Sequence, residues 1–328
     1  MPTLPTPHLG PDIDEEIARR LEENARHAEG AYSEHTEKGY ASDTKVFTTW
    51  CILRGLRSLP ATPDTLVDFI DDQAEAKKPA TIRRYIAAIA ALHRAADIDD
   101  PARAFKVKLA LKRMYRRKGR RQKQAHGLTL ELRTSMLSAA GSHLIDIRNK
   151  AVLAVGYDTG RRRSEIAALR VDDLEPAADG SGTLLVRRSK TDPEAQGMIS
   201  YLAPDTMQLL ADWLDKANLR GGPLFRSMRR GRELQKGLRA ADISAIYRRM
   251  ARDAGISDSI ARTISSHSTR VGMAQDMAGV GIDLASIMQA GGWKSPEMVA
   301  RYTERLAVGT GGSARLAAKQ GRSPSTEA

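Results

Sequence analysis

Residues 265–275, SSHSTRVGMAQ, are the most informative stretch of this sequence, because they place two reactive side chains at the start of a predicted helix. His267 and Arg270 are three positions apart and therefore share one helix face. Further along, QAGGWKSPEMVARY (289–302) carries Trp293 directly after two glycines and ends on Tyr302. Taken alone, a histidine beside an apolar helix is more often structural than catalytic, so this pair needs support from the rest of the chain.

A cluster of arginines lies upstream, in TGRRRSEIAALRVDDL (159–174). Three of them, Arg161, Arg162 and Arg163, are adjacent and point in different directions around a predicted helix start, so at most two can face one ligand. Arg162 and Glu165 are three residues apart, which allows the carboxylate to hold the guanidinium in place. A guanidinium held in this way presents a planar fork to phosphate oxygens.

The charge of the chain indicates an anionic partner. Its 52 Lys and Arg residues against 40 Asp and Glu leave a net charge of +12. Nucleic acid is the commonest polyanion that such a basic protein binds. The 328 residues, 41% of them apolar, are enough for about two domains of ~150 residues, each with its own core.

Few residues are available to bind a metal or a cofactor. Cys51 is the only cysteine, and the seven histidines are scattered without ligand spacing, so we expect no disulfide, no metal site and no cofactor. The N-terminus lacks the apolar core of a signal peptide, and no stretch approaches ~20 continuous apolar residues. We therefore expect a soluble, cytoplasmic protein without a membrane partner.

Hydrophobic periodicity predicts a mainly α-helical chain with a small antiparallel β-sheet. The predicted parts are a flexible tail (1–12), a helical domain (13–118), a basic linker (119–128) and a second domain (129–328). Ser33 and Thr62 are predicted helix caps in the first domain. In the second domain GTLLVRRSK (182–190) and GMISYL (197–202), together with ALRVDDL (168–174), predict the sheet.

Taken together, the motifs resemble those of the tyrosine recombinases, also called the phage integrase family. TGRRRSEIAALRVDDL is similar to the family's first arginine box, and HSTRVGMAQDMAGVGIDLASIMQAGGW with VARYTERL is similar to its second box and nucleophile segment. The resemblance continues into the amino-terminal half through SEHT and TIRRYIAAIAALHR and covers nearly the whole chain. It implies a two-domain DNA clamp, in which a helical, SAM-like core-binding domain precedes a catalytic domain.

The resemblance also implies a set of catalytic residues. These are Arg162, Glu165, Lys190, His267, Arg270, Trp293 and Tyr302. Arg162 and Arg270 would clamp the phosphate that Tyr302 attacks. At the position of Trp293, many family members carry a histidine instead. A shift of one residue within the arginine run would put Arg161 or Arg163 in place of Arg162.

Elementary chemistry suits these roles. A tyrosine with an ordinary pKa of about 10 is only ~10⁻³ ionised at pH 7, so Tyr302 needs a base, for which His267 is the candidate. Lys190 on a strand turn is suited to protonate the leaving 5′-hydroxyl. Covalent attack conserves the energy of the phosphodiester bond, so no ATP is required. Two guanidiniums aimed at the phosphate oxygens can stabilise the added negative charge, so the site can manage without a metal.

Double-stranded DNA is the expected partner. Candidate DNA contacts are Thr36, Lys38, Arg83, Arg84, Arg116, Arg117, Arg120, Arg121 and Arg239. A short helix around 314–319 resembles the family's terminal helix, which docks on a neighbouring subunit. This resemblance implies a homo-oligomer. It would be a dimer on one site with inverted half-sites and a tetramer when two such sites pair. The predicted function is site-specific DNA recombination. The alternatives are a type IB topoisomerase-like nicking enzyme and a non-catalytic architectural DNA-binding protein.

Overall fold

The computed structural model describes residues 14–121, 124–188, 197–229 and 231–322. The chain divides into two compact units, Met1–Gln122 and Lys123–Ala328, and the boundary between them falls inside the basic segment that was predicted as a linker. The predicted flexible tail (1–12) lies outside the described residues.

The described part of the first unit consists of five α-helices. They are α1 (Glu15–His27), α2 (Glu34–Ile52), α3 (Pro63–Ala76), α4 (Pro79–Ala95) and α5 (Phe105–Lys118). Phe47 from α2, Phe69 from α3 and Ile86 from α4 belong to its main apolar core. Ile17 and Leu21 of α1 join a smaller cluster that reaches the end of α4.

The local sequence explains where these helices begin and end. Ser33 and Thr62 cap α2 and α3 as predicted, since their hydroxyls accept hydrogen bonds from the backbone N–H groups of Thr36 and Thr65. Helix α5 ends at Gly119, whose φ of 74° favours glycine. The basic run that begins in α5 therefore continues past a helix end rather than along one long helix.

His93 is a buried histidine in the first unit. Its Nε2 accepts a hydrogen bond from the Ala61 N–H (2.9 Å), and its Nδ1 lies 2.8 Å from the Ile89 carbonyl, which selects the neutral tautomer protonated on Nδ1. Burial lowers the pKa of His93, because charging the ring would cost desolvation energy. The histidine thus acts as a neutral connector between α4 and the segment before α3.

We expect the substitution His93→Ala to destabilise the first unit by about 3 kcal/mol, because it opens a cavity and leaves the buried Ala61 N–H without an acceptor. The pKa is lowered in the folded state, so the contribution of His93 is complete above its ordinary pKa of 6.5 and is lost as the pH falls below that value. Calorimetry of the full chain at about pH 7.5 and about pH 5.5 measures both effects. Substitution of the exposed His27 by Ala is the control. An unchanged unfolding temperature of the His93 variant at the higher pH would contradict this expectation.

The described part of the second unit contains ten α-helices and five strands. The helices are α6 (Leu130–Ala139), α7 (Leu144–Thr159), α8 (Arg163–Ala168), α9 (Pro204–Lys216), α10 (Ala240–Asp253), α11 (Asp258–Ala261), α12 (Ser268–Gly279), α13 (Leu284–Gly291), α14 (Pro296–Thr310) and α15 (Gly312–Lys319). The strands are β1 (Leu174–Pro176), β2 (Gly182–Val186), β3 (Met198–Leu202), β4 (Arg226–Arg229) and β5 (Arg232–Gly237). Leu153 of α7, Trp213 of α9 and Tyr247 of α10 are fully buried in its core.

The strands form two antiparallel sheets. One has the order β1-β2-β3, with Leu184 opposite Leu174 on one side and Ser200 on the other, and β4 pairs with β5 in a separate hairpin. The prediction of a strand across ALRVDDL was wrong for most of that stretch, because Val171–Asp173 forms a 3₁₀ turn and β1 begins only at Leu174. Aspartates are poor strand formers, and the buried Asp173 carboxylate binds Arg187 (2.7 Å) instead.

The residue ranges given above contain neither a membrane-spanning helix nor a metal-binding cluster of side chains. No helix in them is both long and apolar enough to cross a lipid bilayer. They also contain no group of three or more His, Cys, Asp or Glu side chains arranged to hold a metal ion.

Candidate active site

Arg270 lies in the first turn of α12 and is only 1% exposed. Its Nη1 donates hydrogen bonds to the backbone carbonyls of Gly160 and, at 3.0 Å, of Gly291. The guanidinium carbon lies 4.6 Å from the centroid of the Trp293 ring, within the range of a cation–π contact. The Nε–H of Arg270 is buried and has no acceptor among the described residues. The ends of α7 and α13 therefore hold this cation in place while one of its donors stays unsatisfied.

Glycines at two helix ends allow this arrangement. Gly160 ends α7 and Gly292 ends α13, both with left-handed backbone (φ 55° and 63°). A Cβ on Gly291 would lie 1.9 Å from the ring of Trp293, so the indole packs directly on the end of α13. The indole Nε1–H is also buried without an acceptor of normal geometry among the residues that the structure describes.

Tyr302 lies on α14 and is only 4% exposed. Its Oη is 2.7 Å from Nε2 of His267, the residue that immediately precedes α12. The rings of Tyr302 and His267 meet edge to face, with their centroids 5.4 Å apart and their planes at 72°. The ring of Trp293 also contacts the phenol ring edge to face, with a centroid distance of 5.9 Å and an interplanar angle of 63°. In the tautomer protonated on Nδ1, His267 accepts the hydrogen bond that the phenol donates.

The three adjacent arginines have three different environments. Arg161 is buried and donates a hydrogen bond to the Ala290 carbonyl (2.5 Å), so it connects the end of α7 to α13. Arg163 is exposed on the first turn of α8. Arg162, between them, donates from Nη1 to Oε1 of the buried Glu165 (2.9 Å), whose Oε2 accepts the backbone N–H of Arg162 (2.9 Å).

Burial and positive charge set the protonation states of the site. Desolvation, followed by the charges of Arg270 and Arg162, lowers the pKa of His267 to about 4, although the residue as a whole is exposed at the surface. Burial raises the pKa of Tyr302, and the charge of Arg270, the Trp293 indole N–H and the charge of Arg162 oppose that rise. Burial, and next the charge of Arg162, lowers the pKa of Arg270 to about 10, which leaves it charged at neutral pH. A neutral imidazole therefore faces a protonated phenol beside two cations.

We expect the imidazole of His267 in the DNA-free protein to titrate near pH 4, because desolvation and, after it, the positive charges of Arg270 and Arg162 disfavour the charged ring. As the pH falls through that value, Nε2 becomes protonated and can no longer accept the Tyr302 hydrogen bond. The measurement is an NMR titration of the histidine ring protons, with the variant His267→Asn identifying the signal. A midpoint at the ordinary value of 6.5 would contradict the electrostatic account.

The structure brings six of the seven predicted catalytic residues into one region of the second unit. Tyr302 contacts His267 and Trp293, and Trp293 contacts Arg270. Arg162 binds Glu165, and its charge acts on His267, Arg270 and Tyr302. The seventh, Lys190, lies outside the described residues.

Several predicted DNA contacts are already paired with acidic side chains. The pairs are Lys38 with Glu34, Arg84 with Asp43, Arg117 with Glu75, and Arg239 with Asp242. Arg84 makes two hydrogen bonds (2.6 and 2.8 Å) to the buried Asp43, which indicates a structural role within the first unit besides any role on DNA. The other three pairs are exposed and cost little to exchange for a phosphate.

The remaining candidate DNA contacts lie in different local environments. The Thr36 hydroxyl lies 2.9 Å from that of Ser33 and belongs to the cap of α2. Arg120 lies 4.2 Å over the ring of Tyr115. Arg83, Arg116 and Arg121 are exposed.

Sequence reasoning did not single out Gln275, which also reaches the candidate site. Its side-chain Nε2 donates a hydrogen bond to the backbone carbonyl of Tyr302 (3.1 Å). The spacing of Gln275 could have indicated this contact. Gln275 follows Val271 by one helical turn, so both lie on the side of α12 that packs against α14.

The Phage integrase family matches residues 128–307, which is more than half of the chain. The chain is 30% identical over 292 residues to the integrase/recombinase xerD homolog of Selenomonas ruminantium, with 85% of this chain and 84% of that protein covered. It is also 30% identical over 312 residues to the recombinase cre of Escherichia phage P1, with 87% and 88% covered. The chain therefore belongs to the phage integrase family of tyrosine recombinases.

Solved structures share its fold. The XerH site-specific recombinase, in a post-cleavage complex with a palindromic difH substrate, superposes with a TM-score of 0.64 at 17% identity, covering 94% of this chain and 92% of that one. A lambda integrase dimer bound to a COC′ core site gives 0.58 at 18% identity, covering 89% and 95%. At these identities the similarity establishes the fold.

Proposed function

We propose that this protein cleaves and rejoins double-stranded DNA at specific sites through a covalent 3′-phosphotyrosine formed on Tyr302. The observation that carries the proposal is the 2.7 Å contact between Tyr302 Oη and Nε2 of a neutral His267. A phenol that faces a base beside two fixed guanidiniums is arranged for attack on an anion. The unsatisfied Nε–H of Arg270 supports the same proposal, because a phosphate oxygen would satisfy it.

The two arginines act on the charge that develops during attack. A phosphodiester carries one negative charge, and attack by an oxygen adds a second in the pentavalent transition state. Arg270, held by backbone carbonyls, and Arg162, held by Glu165, would stabilise this charge without reorganising. Among the adjacent arginines, Arg162 suits this role best, because Arg161 is engaged with the Ala290 carbonyl and Arg163 is exposed.

Proton transfer follows from the same geometry. As Tyr302 Oη bonds to phosphorus, its proton passes to Nε2 of His267 and the bond from phosphorus to the 5′-oxygen breaks. The 5′-oxygen takes up a proton, for which we propose Lys190 as the donor. The bound phosphate adds negative charge beside the imidazole, which raises its proton affinity during the reaction. One phosphoester replaces another, so a 5′-hydroxyl from a second strand can reverse the step and complete an exchange.

We propose that the protein acts as a homo-oligomer, dimeric on one site with inverted half-sites and tetrameric when two sites pair. The lambda integrase, which shares the fold, binds its core site as a dimer. Helix α15 supports the proposal, because none of its residues is buried and Leu316 is 52% exposed. An apolar side chain on an exposed terminal helix is suited to pack against a neighbouring subunit.

The test uses a library of duplexes with random cores, incubated with the protein and without metal or nucleotide. Covalent protein–DNA adducts are recovered and the attached strands sequenced. Adducts enriched for inverted half-sites around a short spacer would support a site-specific recombinase. Adducts without sequence preference would instead support a topoisomerase-like nicking enzyme, and binding without adducts would support an architectural protein.

A further inference from the structure

Helix α12 contacts the helix that carries Tyr302 at a second point, one that the proposed chemistry does not use. Gln275 is half-buried, and its Nε2 donates to the backbone carbonyl oxygen of Tyr302 at 3.1 Å. A carbonyl inside an α-helix already accepts one hydrogen bond from the residue four positions later. The Gln275 amide therefore occupies the second lone pair of the Tyr302 carbonyl.

The other end of the same amide rests on the segment that enters the second unit. A Cβ on Gly127 would lie 1.9 Å from Oε1 of Gln275 and 3.3 Å from Cγ1 of Val271. The neighbouring Leu128 N–H donates to the Ser268 carbonyl (2.8 Å), which holds this segment on α12. Only a glycine at position 127 leaves room for the amide in its observed place.

Asp276, the next residue of α12, also binds this segment. Oδ2 of Asp276 accepts hydrogen bonds from the Leu130 N–H (2.7 Å) and from the Tyr157 hydroxyl (2.6 Å). The segment 127–130 is thus held on α12 at Leu128 and at Leu130, both directly after its contact with Gln275 at Gly127. A change in its path would be transmitted to the amide rather than absorbed.

Apolar contacts alone leave the orientation of α14 underdetermined. Val271 and Ala274 of α12 pack with Val299 and Tyr302 of α14 in one small cluster, and such non-directional contacts hold two helices together without setting the rotation of one of them. A hydrogen bond to the backbone of residue 302 itself is directional, and it acts at the root of the phenol side chain.

We propose that Gln275 is a positioning residue for Tyr302, and that Gly127 keeps the Gln275 amide where it can hold the Tyr302 carbonyl. This inference rests on the proposed role of Tyr302 as the nucleophile. Its consequence is that residue 127, near the start of the second unit, takes part in setting the attack geometry through the Gln275 amide. Small errors in the position of a nucleophile are costly in rate.

Three variants test the role of Gln275. Gln275→Met keeps the length of the side chain and removes its donors, while Gln275→Lys keeps a donor. Gly127→Ala leaves Gln275 unchanged but displaces its amide, a shift that a flexible side-chain end makes cheaply. Gln208→Met, at an exposed position on α9, is the control for the substitution itself. Each is assayed for DNA binding, for thermal unfolding and for the single-turnover rate of adduct formation on a DNA site recovered from the library.

We expect Gln275→Met and Gly127→Ala each to slow adduct formation about tenfold with unchanged DNA binding, as for the loss of one hydrogen bond. Gln275→Lys should restore most of the rate. Because both variants break the same contact, the double variant should be no slower than the slower single variant. Adduct formation by Gln275→Met at the parental rate, or additive losses in the double variant, would overturn the inference. If the parent protein forms no adduct, or Tyr302→Phe still forms one, the proposed function itself fails, which is a separate outcome.

Discussion

We expect the variant Tyr302→Phe to form no covalent adduct with DNA and to bind DNA as tightly as the parent protein does. The substitution removes only Oη, and the remaining ring keeps its edge contacts with His267 and Trp293. One lost hydrogen bond costs about 1 kcal/mol of stability, so the second unit stays folded. The measurement is adduct formation by denaturing electrophoresis on labelled duplexes, beside a band-shift assay for binding.

The matched control is Tyr201→Phe. Tyr201 lies on β3 and is 61% exposed, so the same atom is removed from a tyrosine with no role in the proposed chemistry. We expect this variant to form adducts at the parental rate. Adduct formation by Tyr302→Phe would mean that another residue is the nucleophile. Equal loss in both variants would mean that the assay reports folding rather than chemistry.

The variant Arg270→Lys is expected to slow adduct formation by about 10²–10³-fold, although the positive charge is conserved. Lysine lacks the planar fork, so it cannot reproduce the bonds to the Gly160 and Gly291 carbonyls and still present a donor to the phosphate. It also loses the flat contact with the Trp293 ring. The comparison is made on single-turnover rates at saturating protein.

Arg163→Lys is the control for Arg270→Lys, since Arg163 is exposed and adjacent to the proposed clamp. We expect its rate to stay within about twofold of the parent, as for other surface substitutions. A thermal melt of both variants separates loss of chemistry from unfolding, because Arg270 is buried. A rate for Arg270→Lys within tenfold of the parent would contradict the proposed clamp.

The helices and the order of the site residues could be predicted from the sequence, because both depend on local patterns. The caps Ser33 and Thr62 and the three-residue spacing of His267 and Arg270 are such patterns. The hairpin β4–β5 could not be predicted, because its strands, RSMR and RELQKG, lack an alternation of apolar and polar residues.

Roles that depend on contacts distant in sequence were beyond the reach of the sequence. Arg161, Arg162 and Arg163 are chemically identical, and the contact that engages Arg161 with α13 is made to the carbonyl of Ala290, 129 residues further along the chain. The same holds for His93, whose partner Ala61 is 32 residues away, and for Gln275. In each case the deciding partner is a backbone group, which leaves no trace in residue type.

Mapping the adduct shows directly whether Tyr302 becomes covalently attached to DNA. The adduct is digested with nuclease and trypsin, and the modified peptide is sequenced by mass spectrometry. We expect a nucleotide attached through its 3′-phosphate to Tyr302 in the peptide YTER (302–305), and a released strand that ends in a 5′-hydroxyl. Attachment to any of the other seven of the eight tyrosines, to a serine, or through a 5′-phosphate would contradict it.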